Sequence, residues 1–132
     1  MYVFIEPTEP SPPPPETADV AVQAALSHLG EPYLWGGEGL GGFDCSGLAM
    51  VAWRTAGVAL THSSIAQFGQ TARVSRADVM PGDIVFYGEP IHHLGIYIGD
   101  GKMVEAAHQG VPVRISSIKR KDLVAIGRVR AA

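Results

Sequence analysis

Cysteine occurs once in this chain, at Cys45, so no internal disulfide can staple the fold and no cysteine-rich zinc set can form. Long apolar runs are missing too: no stretch reaches the roughly 18 residues that a membrane span needs. The opening Met1-Tyr2-Val3-Phe4-Ile5 is too short for a signal peptide and lacks a basic start, so an exported form would carry its leader upstream. Basic residues do not cluster. The net charge is −3 and the only cationic run is Lys119-Arg120-Lys121, which reads as a solvated turn and excludes nucleic acid as a partner. The histidines have no short ligand spacing such as i, i+4, so neither a metal nor another cofactor is expected.

What is present divides the chain in two. Pro7-Thr8-Glu9-Pro10-Ser11-Pro12-Pro13-Pro14-Pro15 cannot build a hydrogen-bonded helix or a central strand and should extend as polyproline II. Residues 1–16 are therefore an arm or linker, either a free tether or a segment whose Tyr2–Ile5 patch docks back on the domain, across its cleft. Residues 17–132 form one domain, in a chain long enough to bury roughly two-thirds of its unfolded surface without a staple.

Within that domain, Thr17 or Asp19 can cap a helix carrying Val22, Ala25, Leu26 and Leu29 on one face, closed by Gly30 and Pro32. A second helix runs from Cys45 to Gly57, and Ser63 or Ser64 caps a third through about Ala72 with Ile65 and Phe68 inward. After the turn signal Met80-Pro81-Gly82-Asp83 the pattern changes to strands at 84–87, 92–98, 102–106, 111–115 and 123–130. Helices first and strands after predict an α+β fold, its helices packed on a C-terminal antiparallel sheet of five to six strands.

The lone thiol sits where such a fold concentrates chemistry. Asp44 reads as an N-cap and Cys45 as the first helical residue, so the sulfur faces the positive end of the helix dipole, which favours the thiolate. Gly41, Gly42 and Gly47 clear space around it for a substrate backbone, and Asp44 and Ser46 put polar groups on either side. The glycine-rich loop before the helix leaves Tyr33 and Trp35 on its walls.

A thiolate nucleophile needs a base, and His28 and His62 have adequate structural explanations next to helix ends. His92 and His93 are adjacent and point to opposite faces of one strand. Taking Gly99-Asp100-Gly101 as a three-residue hairpin loop, His93, Gly95, Tyr97, Met103 and Glu105 share a face, with Glu105 a diagonal neighbour of His93. A two-residue loop would reverse the assignment. Glu105 is either the group that orients His93 or an exposed strand residue.

Four separated motifs then carry a resemblance: Pro32-Tyr33-x-Trp35-Gly36-Gly37, Phe43-Asp44-Cys45-Ser46-Gly47-Leu48, Pro81-Gly82-Asp83-Ile84-Val85-Phe86 and His93-Leu94-Gly95-Ile96-Tyr97-Ile98-Gly99. In order and spacing, from about Ala18 to Arg130, the chain resembles the NlpC-type cell-wall cysteine endopeptidases. The resemblance implies a papain-like core, secretion to the cell wall, a monomer, and cleavage of bacterial peptidoglycan stem peptides, commonly between D-glutamate and meso-diaminopimelate. It makes Cys45 the nucleophile and His93 the base, has Tyr33 assist at the oxyanion, and gives Asp44 and Ser46, with Trp35 on the wall, contact with the peptide. Glutamate at 105, where the family often has histidine, is similar to the actinobacterial Rip-type enzymes. A non-hydrolytic binding module, or an amidase or acyltransferase with this core, are the alternative expectations.

Overall fold

The structure is a computed structural model and describes residues 1–130; residues 131–132, the last two of the expected domain, lie outside the described residues. Three helices, α1 (Ala18–Ser27), α2 (Cys45–Thr55) and α3 (Ser64–Gln70), precede all six strands. The strands are β1 (Thr71–Arg73), β2 (Ile84–Tyr87), β3 (His93–Gly99), β4 (Lys102–Glu105), β5 (Arg114–Ser117) and β6 (Leu123–Val129). They form one antiparallel sheet in the order β1-β6-β2-β3-β4-β5. The α+β expectation holds.

Alternation along the strands gives the sheet two buried faces. Leu94 and Ile96 of β3, Val104 of β4 and Phe86 of β2 pack under Ala21 and Ala25 of α1 and Leu48, Ala49, Ala52 and Trp53 of α2. Small residues on α1 and α2 let the helices sit close to one another and to the sheet. The opposite face buries Val85, Tyr87, Tyr97, Met103 and Ile126, and Phe4 of the N-terminal arm packs there.

That contact settles where the arm lies. The Ile5 N–H donates to the Val124 carbonyl at 2.7 Å, on the stretch of β6 that β1 leaves uncovered, and Arg128 donates to the Pro12 carbonyl at 2.8 Å. Arg76 stacks 4.5 Å over the Phe4 ring. The arm thus covers a sheet edge that would otherwise expose unpaired backbone groups, and it does not cross the cleft described below.

Several boundaries differ from expectation, each for a local reason. The third helix stops at Gln70 because Thr71–Arg73 pairs with Gly127–Val129 as an edge strand. Phe68 packs against the core as expected, but Ile65 is 64% exposed, and the fully buried residue is Gln67, whose amide donates to the Ser46 and Thr61 carbonyls at 2.9 and 2.8 Å. Buried amides with satisfied donors serve as core here, which hydrophobic periodicity does not register. The first helix ends at Ser27, leaving Leu29 exposed. The strand expected at 111–115 begins only at Arg114, because the Val113 N–H donates to the Glu31 carbonyl in the loop after α1 instead of to a strand.

The β3–β4 hairpin is the instructive case. Its connection is two residues, Asp100-Gly101, both with positive φ (54° and 73°), as a type I′ turn requires. A bulge between Tyr97 and Gly99 inserts one residue, so Ile96 still faces Val104 and Tyr97 still faces Met103. The loop is shorter than expected, yet the bulge restores the parity, and Glu105 stays diagonal to His93.

Candidate active site

Because neighbouring strands run antiparallel, the end of β2, the start of β3, the end of β4 and the starts of β5 and β6 lie at the same end of the sheet. The N-terminus of α2 meets them there. Together they enclose a cleft of about 640 Å³ lined by Cys45, Tyr33, Trp35, Asp44, Ser46, His62, His92, His93, Arg114 and Arg120, among others.

Asp44 caps α2: its Oδ1 accepts from the Gly47 N–H at 2.8 Å and its Oδ2 from the Gly36 N–H at 3.0 Å. The glycine-rich loop therefore folds onto the helix end, and Gly47 must be glycine because a side chain there would collide with the Gly37 carbonyl. Tyr33 is held beside Cys45 by a bridge to Phe43. Burial, then the charges of Cys45 and Asp44, raise the Tyr33 phenol above its usual range and keep its hydroxyl a donor. Trp35 is 85% exposed on the rim, whereas Ser46 is largely buried at the floor.

Cys45 begins α2, but its acidity runs opposite to the expectation. Burial pushes the thiol up to about 11, and the charge of Asp44 adds to this. The backbone N–H groups of Leu94, Ser46 and Cys45 itself pull the other way without winning. Helix-end dipoles lower a thiol pKa when the sulfur is solvated; here desolvation exceeds them. At neutral pH this environment favours the thiol over the thiolate. Alkylation of Cys45 by iodoacetamide in a His93→Gln variant should accordingly rise about tenfold per pH unit between about pH 7 and about pH 9. A rate that levels off below pH 8 would contradict that state of the sulfur.

His93 opens β3, and its Nε2 meets Glu105 Oε1 at 2.8 Å, leaving Nδ1 for the cleft. Glu105 is 0% exposed, so the exposed-residue reading does not apply. Its carboxylate is filled: Arg120 donates Nη1 to Oε1 at 2.9 Å and Nη2 to Oε2 at 2.6 Å, and Arg114 donates Nε to Oε2 at 3.1 Å. Burial alone would raise its pKa, but the hydrogen bonds from His93, Arg120 and Ser116 and the Arg120 charge outweigh it and hold the carboxyl far below the usual range. Glu105 stays ionised behind His93. Arg120, read from sequence as part of a solvated turn, is the bidentate partner of this buried carboxylate.

A second cluster escaped the sequence reading. His62 links Asp44, through Nε2 to Oδ1 at 2.7 Å, with Glu38, through Nδ1 to Oε2 at 3.0 Å. Burial lowers the His62 pKa, but its hydrogen bonds and charge interactions with these two carboxylates win and raise it. The one sequence signal was its position next to Ser63, which caps α3 by accepting from the Ala66 N–H at 3.2 Å and so brings a second helix start to the cleft. The cleft wall thus carries groups of both signs, Asp44 and Asp122 beside Arg114 and Arg120, with Glu38 reached only through His62.

Known proteins resemble this chain in sequence and in fold. Probable endopeptidase Rv2190c of Mycobacterium tuberculosis is 52% identical over 94 residues, covering 71% of this chain but 24% of that protein. Probable endopeptidase p60 of Listeria monocytogenes is 45% identical over 92 residues, 68% of this chain and 19% of its own length. The chain thus spans about a quarter or less of the curated relatives it matches. Among solved structures, the peptidoglycan hydrolase RipB of Mycobacterium tuberculosis superposes with a TM-score of 0.81 at 30% identity, covering 89% of this chain and 66% of RipB. The NlpC/P60 family profile matches residues 30–125, a segment that begins just ahead of Tyr33 and takes in Cys45, His93, Glu105 and both arginines, and on that match the chain belongs to the NlpC/P60 family.

Proposed function

We propose that residues 17–132 are the catalytic domain of a peptidoglycan endopeptidase that cuts stem peptides at the bond between D-γ-glutamyl and meso-diaminopimelate, with residues 1–16 as an arm docked on it. One observation carries this reading: a helix-end thiol shares a cleft with a histidine hydrogen-bonded to a buried, ionised glutamate. The names of the relatives, probable endopeptidases and a peptidoglycan hydrolase, agree with it. So does the cleft's charge, since a stem peptide carries both amino and carboxylate groups. The site of action on this reading is the cell wall, outside the cytoplasmic membrane, and the working unit is a monomer.

The chemistry follows from the geometry. As the Cys45 sulfur attacks the glutamyl carbonyl, its proton passes to His93 Nδ1, and Glu105 stabilises the imidazolium through Nε2. Backbone N–H groups at the start of α2 and the Tyr33 hydroxyl are available to the developing oxyanion. His93 then protonates the departing amine of the diamino acid. Water gives a proton to His93 as its oxygen adds to the thioester carbonyl, and the departing Cys45 sulfur takes that proton from His93, which releases the glutamyl product and restores the thiol. Asp44 and Ser46 on the floor and Trp35 on the rim contact the peptide.

Mass spectrometry of a defined peptide, L-alanyl-γ-D-glutamyl-meso-diaminopimelate, and of purified muropeptides after incubation with the protein tests this directly. The expected products are a fragment ending in glutamate and a free diamino-acid fragment. Peptides recovered intact, or cut instead at the bond between muramic acid and alanine, would overturn the reading.

A further inference from the structure

The two arginines on Glu105 are not equivalent. Arg120 spends both Nη atoms on the carboxylate. Arg114 spends only Nε; among the described residues neither of its Nη atoms has a protein partner, and its side chain is 45% exposed on the cleft wall. Arg114 and Arg120 are the two basic side chains other than histidine on that wall, and of the two it is Arg114 that keeps both Nη atoms uncommitted. Glu105, Arg114 and Arg120 together leave one surplus positive charge; Asp122, also on the wall, acts on Arg120. Arg114 lies on edge strand β5 in register with Glu105, which fixes its stem while the tip stays free.

We propose that Arg114 is a specificity-determining residue whose Nη pair binds a substrate carboxylate close to the scissile carbonyl, the α-carboxylate left free by a γ-linked glutamyl residue. This rests on the peptidase reading above. A paired guanidinium edge matches a carboxylate with two parallel hydrogen bonds, a fit that lysine or a carboxamide ligand cannot reproduce. The position suits the task. Arg114 is one carboxylate away from His93, through links of 3.1 and 2.8 Å, and the α-carboxylate of a γ-glutamyl group is only a few bonds from the carbonyl under attack. An occupied Arg114 also stays locked on Glu105, tying recognition of the acid to the orientation of the base.

The test compares two peptides that differ only at that group, γ-D-glutamyl with a free α-carboxylate and the same peptide as its α-carboxamide. Dissociation constants are measured on the Cys45→Ala protein, where no turnover intervenes, with and without Arg114→Gln and Arg114→Lys. Wild-type Arg114 should favour the carboxylate by about 10- to 100-fold, a range set by charge-assisted hydrogen bonds. Arg114→Gln should bring the ratio near one by weakening the carboxylate peptide alone, and Arg114→Lys should recover only part of it. Equal binding of both peptides by the Arg114 protein, or a ratio that survives Arg114→Gln, overturns the inference. Failure of the parent reading looks different: the unmodified protein would cleave neither peptide while the binding ratio still reported on Arg114.

Discussion

Cys45→Ala and His93→Gln should each lower peptide cleavage by about 10⁴-fold or more, and the double variant should fall no further than the worse single one. On the proposed mechanism nucleophile and base act as one unit. Without the sulfur His93 has no proton to take, and without His93 the thiol, held by burial near 11, is almost wholly unionised at neutral pH. Either loss removes the same step, so the free-energy effects overlap instead of adding. The substitutions are mild for the fold: alanine is the best helix former at the first position of α2, and glutamine keeps an amide that reaches Glu105. Circular dichroism should therefore match the parent while product release, followed by chromatography, disappears. A Cys45→Ala protein that keeps a tenth of the activity, or single losses that multiply in the double variant, would remove Cys45 and His93 from the roles proposed for them.

Local grammar made a large part of this arrangement readable. The Asp44 cap, Gly57 at positive φ after α2, and the change from helical to alternating periodicity at Ile84 are rules of neighbouring residues, and each appears in the structure. Even the partnership of His93 with Glu105 followed from strand parity, although the hairpin reaches that parity through a two-residue turn plus a bulge. What stayed hidden depends on contacts distant in sequence. Arg120 joins Glu105 across 15 residues and His62 joins Asp44 across 18, and no periodicity marks either pair. The acidity of Cys45 departs from what its cap motif implies for a related reason: a helix dipole is legible in a cap motif, but desolvation is a property of everything packed around the sulfur. Ile65 and Gln67 exchanged places because the space beneath α3 presents two carbonyls, which reward an amide over an aliphatic side chain.

The largest effect on stability should come from a pair far from that chemistry. Arg128 and Asp83 are both almost completely buried, joined through Nε to Oδ1 at 3.0 Å and Nη2 to Oδ2 at 2.9 Å. Arg128 also donates to the Asp78 and Pro12 carbonyls, at 2.8 Å each, so one guanidinium ties β6, the turn before β2 and the N-terminal arm together. Burial raises the Asp83 pKa even with Arg128 in place; the arginine and the Met80 N–H only moderate it. Arg128→Met keeps the volume but leaves the carboxylate buried without its counter-charge, a change that should cost about 3–5 kcal/mol, a large share of the roughly 5–15 kcal/mol that holds a domain of this size. Without Arg128 the folded state holds the Asp83 proton still more tightly than the unfolded chain does. The deficit should therefore be smallest below the unfolded pKa, near 3.8, and grow as pH rises through the higher folded value. Urea unfolding at about pH 4 and about pH 7 would show both features, and Asp83→Asn in the same background should restore part of the loss by removing the stranded charge. An Arg128→Met protein within about 1 kcal/mol of the parent at neutral pH would mean that solvent reaches Asp83 and that the arm, not the ion pair, seals this corner of the sheet.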